Sequence, residues 1–114
     1  MNRTSYRVKK NRIEFDARST LRFKYPIAEL IEFDDVIVVR LEIPARAKYN
    51  ENVFGISENG DLLWQVPSLP RLAKNAPYIG IGRDGDFARL NNWDGMVYWL
   101  APKSGTVVKE IFGK

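Results

Sequence analysis

The chain has 114 residues, 45% of them hydrophobic and 28% charged, the make-up of an ordinary globule long enough to bury a core. It contains no Cys and no His, which excludes disulfides, thiol nucleophiles, imidazole bases and the usual zinc ligands. The net charge of +4 is unevenly placed: residues 1–24 hold eight basic side chains against Glu14 and Asp16, whereas residues 25–114 hold ten basic and twelve acidic ones.

Residues 1–12 read as a basic arm or as an edge strand shielded by Lys and Arg, because cations along an exposed strand discourage unwanted pairing. The segment lacks the apolar stretch of a secretory signal. No apolar run in the chain approaches the roughly 20 residues of a membrane span, so a cytoplasmic protein without membrane contact is expected. Arg12–Phe15 and Leu21–Tyr25 alternate apolar with polar and predict a first hairpin. Asp34-Asp35 then separates Ile27–Phe33 from Val36–Ile43. The second of these is β-branched and apolar enough for a central strand, and Pro44 stops it.

Val53–Ile56 and Leu62–Val66 flank Ser57-Glu58-Asn59-Gly60, where Asn-Gly supplies the positive φ of a tight hairpin. Pro67, Pro70 and Pro77 make residues 67–77 the longest irregular connection, with room at Pro67–Lys74 for a single helical turn at most. Tyr78–Arg83, Phe87–Asn92, Met96–Ala101 and Val107–Phe112 follow, parted by turns at Asp84-Gly85, Asp94-Gly95 and Pro102-Lys103-Ser104-Gly105. About nine short strands at roughly ten-residue spacing predict one all-β domain, an antiparallel meander over residues 1–114.

The chain also echoes itself. Val53-Phe54-Gly55-Ile56, the turn at Gly60 and Leu62-Leu63 line up with Val97-Tyr98-Trp99-Leu100, the turn at Gly105 and Val107-Val108, with one residue inserted in the second turn. The stretch Trp93-Asp94-Gly95 through Pro102-Lys103-Ser104-Gly105-Thr106-Val107-Val108 resembles a blade hairpin of the quinoprotein-type β-propeller repeats. The second half is also similar to small bacterial proteins that end in such a hairpin pair, possible immunity-type proteins among them. The resemblance covers residues 53–112. It implies blade-like hairpins arranged as a stack or small sandwich, since this length cannot supply the four or more blades of a closed propeller, and it implies no cofactor site.

Other motifs lose to turn chemistry. Gly80-Ile81-Gly82-Arg83-Asp84-Gly85 matches the dinucleotide fingerprint, yet Gly95 follows too soon for a crossover helix and no carboxylate stands about 20 residues on. Gly80 and Gly82 are instead expected to let a ring such as Trp64 or Trp99 pack over bare backbone. Asp84-Gly85-Asp86 is too short an oxygen ladder for calcium, and the lone Trp93-Asp94 lacks the His of a WD repeat. Glu29, Glu32, Asp34 and Asp35 cluster on one hairpin without a catalytic motif, so no enzyme activity, cofactor or metal is expected.

Trp64, Trp93, Trp99, Tyr98, Tyr78 and Phe87 crowd the second half, and Met96–Ala101 carries a ring on each face. Exposed rings backed by Arg are typical interface anchors, which makes Trp93, Trp99, Tyr98, Arg83 and Arg89 the candidate partner-binding residues. The favoured expectation is a protein-binding module, in its specific form an immunity-type protein that neutralises a toxin. The alternative is a nucleic-acid binder using the basic N-terminal segment. A third reading, a structural subunit that completes its blade stack by self-association, does not exclude the first.

Overall fold

The structure, a computed structural model, describes residues 6–16, 19–68 and 75–112. Among them are eleven strands and no helix. β1 (Tyr6–Lys9), β2 (Arg12–Phe15) and β3 (Thr20–Arg22) form the first sheet. β4 (Ile27–Glu32), β5 (Val36–Leu41), β6 (Val53–Ser57) and β7 (Leu62–Gln65) form the second, and β8 (Tyr78–Asp84), β9 (Phe87–Asn92), β10 (Met96–Leu100) and β11 (Val107–Phe112) the third. Every paired strand runs antiparallel to its neighbour in sequence. The all-β expectation holds, as a stack of three blade-like meanders. The ten strand segments marked in the sequence become eleven because Tyr6–Lys9, in the basic segment, also pairs with β2 as an edge strand. The helical turn considered at Pro67–Lys74 lies, from residue 69 onward, outside the described residues.

The middle sheet is covered on both sides, and the alternation of β5 shows why. Val36 and Val38 point into a core shared with Tyr78, Leu90, Tyr98 and Leu100 of the third sheet. Ile37, Val39 and Leu41 point into a second core with Ile13, Phe15 and Phe23 from the first sheet and the turn after it. These five β5 side chains are essentially inaccessible, and each such burial favours folding by about 1.5–3 kcal/mol. A strand with one polar face could not occupy this place.

Trp64 locks the hairpin ends of the middle and third sheets together. Its indole N–H donates to the carbonyl of Pro102 at 2.6 Å, and its ring lies where a Cβ on Gly55 or Gly105 would stand. The ring therefore does pack over bare backbone, but not where the sequence suggested. A Cβ added to Gly82 would have nothing within 4 Å, and one on Gly80 would meet only Asn91 and Glu29. Gly105 combines this close approach with φ +74°, so it is required twice over. Gly60 and Gly95 also take the expected positive φ.

Side chains of the middle sheet close the free edge of β8. Asn52 is fully buried in the β5–β6 loop; its amide donates to the carbonyls of Leu41 and Tyr78 at 2.8 and 3.0 Å and accepts from the Tyr78 N–H at 2.8 Å. Glu29 accepts from the Ile81 N–H at 3.1 Å and from Arg40 Nε at 2.6 Å, and Arg40 Nη1 reaches the Tyr78 carbonyl at 3.3 Å. These contacts fix where the third sheet sits on the second. Burial also pushes the Tyr78 hydroxyl well above its ordinary pKa, so it stays neutral.

Candidate functional site

The third sheet has one face in the core and one face free of contact with the other described residues. Its construction starts at the turn after β9. Asn92 Oδ1 accepts from the Asp94 N–H at 3.0 Å, Asp94 Oδ1 accepts from the Met96 N–H at 2.9 Å, and Gly95 N–H closes onto the Asn92 carbonyl at 3.0 Å. This turn sets a register in which Trp99 stands opposite Arg89 on β9 and opposite Lys109 on β11. Gly82 stands opposite Arg89, and Val97 opposite Asn91 and Ile111. Alternation then places Phe87, Arg89, Val97, Trp99, Lys109 and Ile111 on one face, turned away from the middle sheet.

Trp99 is the centre of that face and is held rather than loose. Its indole N–H donates to Asp84 Oδ2 at 2.8 Å, and the Lys109 ammonium lies 4.6 Å from its ring centroid, a cation–π contact. Gly82 leaves the strand beside Arg89 bare. Arg89 is exposed, and its Nε lies 3.4 Å from Asn91 Oδ1. Phe87 is 40% and Ile111 47% exposed, so apolar surface flanks the ring on both sides.

The five residues singled out from sequence thus separate. Trp99 and Arg89 come together on the free face. Tyr98 is a correction: it is fully buried, edge-on to Tyr78 at 5.9 Å, because its parity on β10 points it at the middle sheet. Arg83 is a second correction. It pairs with Ala88, whose side chain is in the core, so it faces the middle sheet; its guanidinium caps the Phe33 ring at 4.7 Å and donates to the Glu32 carbonyl at 2.9 Å. Trp93 is 65% exposed but sits on the β9–β10 turn, at one end of the stack, beside Ile79, Pro44 and Pro77. Lys109 and Ile111 were missed, because counting on from the Gly105 turn misplaces them by one residue: β11 carries a bulge that leaves Val108 unpaired. Val97 joins the face by simple alternation with Trp99 on β10.

The same bulge recurs in the middle sheet and shows the two sheets to be equivalent. Leu63 is the unpaired residue between Leu62, which faces Ile56, and Trp64, which faces Gly55. Superposing the hairpins puts Gly55 and Trp64 at the places of Trp99 and Lys109, and carries Val38 and Val36 on β5 to Arg89 and Phe87 on β9. The face bearing Val36, Val38, Val53 and Trp64 is the one the third sheet covers. Its counterpart on the third sheet is covered by nothing among the described residues.

Three of the four clustered carboxylates have structural partners. Glu29 pairs with Arg40, Glu32 accepts from the Tyr6 hydroxyl, and Asp35 lies 3.3 Å from Lys103. Asp34 and Asp35 help line a cleft of about 350 Å³ between the β4–β5, β8–β9 and β10–β11 turns, with Phe33, Phe87 and Pro102 as its apolar wall. Among the described residues no three acidic side chains are grouped to hold a metal ion. No helix there is long and apolar enough to cross a membrane.

Comparison with known proteins adds to the fold. No curated protein matches the chain. Among solved structures, BamB from Moraxella catarrhalis, a β-propeller protein, is similar with a TM-score of 0.61 and 16% identity over 95% of this chain. The computationally designed Ika8 protein is similar with a TM-score of 0.60 and 12% identity over 97% of this chain. The chain spans about a third of each, 32% and 33%, so the likeness is to a run of sheets and shows the fold alone. Over residues 1–112 the chain matches the model of the domain of unknown function DUF7957, and it belongs to that family.

Proposed function

We propose that the chain is a non-enzymatic protein-binding module whose partner covers the free face of the third sheet, in its most specific form an immunity-type protein seated on a toxin. One observation carries the reading. Phe87, Arg89, Val97, Trp99 and Lys109 occupy the places that, one sheet earlier, are buried beneath another sheet. A face equivalent to a buried one, yet studded with a Trp and an Arg, has the composition of an interface core rather than of a solvated wall. Asp84 and Lys109 already hold the Trp99 ring, so docking against it costs little further side-chain entropy.

The test is affinity capture from a lysate of the source organism with the wild-type chain, Trp99→Ala and Arg89→Ala. A specific partner is retained by the wild type at moderate salt, and each substitution weakens its binding by about 1–2 kcal/mol, roughly tenfold, while the melting curve keeps its shape. A partner that binds all three proteins equally places the interface elsewhere and overturns the reading. For the immunity form, the captured protein is a toxin, and Trp99→Ala no longer protects cells that express it.

A further inference from the structure

The outer face of the first sheet has a different chemistry, and it stands apart from the interface proposed above. Cross-strand pairing aligns Lys9, Arg12 and Arg22 in one row and Arg7, Glu14 and Thr20 in the next. The apolar residues of the same strands, Ile13 and Phe15, point the other way, into the core. One flat face thus carries four cations and one carboxylate. Glu14 is engaged by Arg12 at 2.9 Å, and among the described residues Arg7, Lys9 and Arg22 have no carboxylate within ion-pair distance. Like charges placed directly opposite one another destabilise a sheet, so Lys9, Arg12 and Arg22 in a row work against the free protein. A solvated edge strand needs cations on the edge; it does not need them repeated across three strands.

We infer that this face docks on the phosphodiester backbone of duplex nucleic acid. The backbone positions that carry these cations are about 4.8 Å apart across strands and about 6.8 Å apart along them, so the charges are grouped closely on one face. A duplex, with one charge per roughly 1.7 Å of axis, presents several phosphates to a patch of this size. The face carries no aromatic ring or amide side chain, which removes the stacking used to hold single strands and the usual means of reading bases. It carries no apolar side chain either, so it lacks the wedge with which membrane-surface elements insert. Binding is therefore backbone-directed and independent of sequence.

Fluorescence anisotropy of a labelled 20-base-pair DNA, titrated with the full chain at several salt concentrations, tests the assignment. Four phosphate contacts predict a log–log salt slope of about −3.6, a loss of roughly a hundredfold in affinity between 50 and 200 mM salt. Arg7→Gln with Lys9→Gln brings the slope to about −1.8, a loss of only about tenfold over the same range. Arg46→Gln with Lys48→Gln, two exposed cations of the β5–β6 loop, lowers net charge equally and leaves the slope unchanged. Circular dichroism melts confirm that both double variants fold. Absence of binding at 50 mM salt, a slope near zero, or equal weakening by the two double variants overturns the proposal. So does binding to phosphatidylserine–phosphatidylcholine vesicles in the absence of any binding to the duplex.

Discussion

The middle and third sheets present the same face with different side chains, and the difference separates what stabilises the molecule from what is available to a partner. On the middle sheet that face is Val36, Val38, Val53 and a Trp64 ring laid over Gly55, all in the core. On the third sheet the ring has moved across the hairpin to Trp99, a Lys stands where Trp64 stood, and an Arg stands where Val38 stood. The two charges give this face the polar character that the outer faces of capping repeats carry. Among the described residues, the first sheet lies at the other side of the stack, and its outer face bears Lys9, Arg12 and Arg22 and no ring.

By this contrast the two tryptophans, on opposite strands of corresponding hairpins, differ in worth to the fold. Trp64→Ala is expected to cost about 3–5 kcal/mol, since it empties a buried site touched by Gly55 and Gly105 and leaves the Pro102 carbonyl without its donor. Trp99→Ala, removing a half-buried ring from an open face, is expected to cost about 1 kcal/mol or less. Urea unfolding of the two variants reads both values, and equal losses would erase the distinction between the covered and the open face.

Gly105→Ala is expected to fall between them, at about 2–3 kcal/mol. A Cβ there meets the Trp64 ring at 2.6 Å and also sits at φ +74°, so overpacking and backbone strain combine. The same change at Gly85, where φ is +61° but nothing lies within 4 Å, isolates the backbone part at about 1 kcal/mol. The difference between the two melts measures the ring contact alone.

The smallest effect belongs to the first sheet. The hydrogen bond from Arg12, helped by the nearby charges of Lys9 and Arg7, holds the Glu14 carboxyl below its ordinary value. A depressed carboxylate pKa stabilises the fold above the unfolded-state value, and that contribution is lost as pH falls through the folded-state value. An NMR titration should find Glu14 below 4.5, and Arg12→Gln should move it upward.

Much of the fold was legible because it is written in short-range chemistry. Asn59-Gly60 and Asp94-Gly95 specify turns through the positive φ they tolerate, and the unbroken apolar run of β5 announces a strand covered on both faces. The hairpin echo located the equivalent strand pairs of two sheets. The site was legible only in part, because exposure depends on parity carried through bulges. Ile79 and Val108 are each an extra residue on their strands, and one such residue reverses which side chains face out. That is why Trp99 and Arg89 were found while Lys109 was missed. Arg83 and Tyr98 were grouped with Trp99 for a different reason: alternation separates the two faces of a strand but does not say which of them the middle sheet covers. The indole contact with Gly55 and Gly105 joins distant turns, and no local pattern in the sequence encodes it.

The closure of β8 by Asn52, Glu29 and Arg40 has a consequence for how this protein can meet copies of itself. A strand seeking to extend the third sheet at β8 would have to displace a buried amide and an ion pair that already occupy the Tyr78 and Ile81 backbone groups. At the opposite edge no described strand lies beyond β11, and Val108, Ile111 and Phe112 are exposed there at 50%, 47% and 63%. Growth of this sheet is therefore one-directional. The hazard of edge-to-edge aggregation gathers at β11, where Lys109 and Glu110 are the gatekeeping charges.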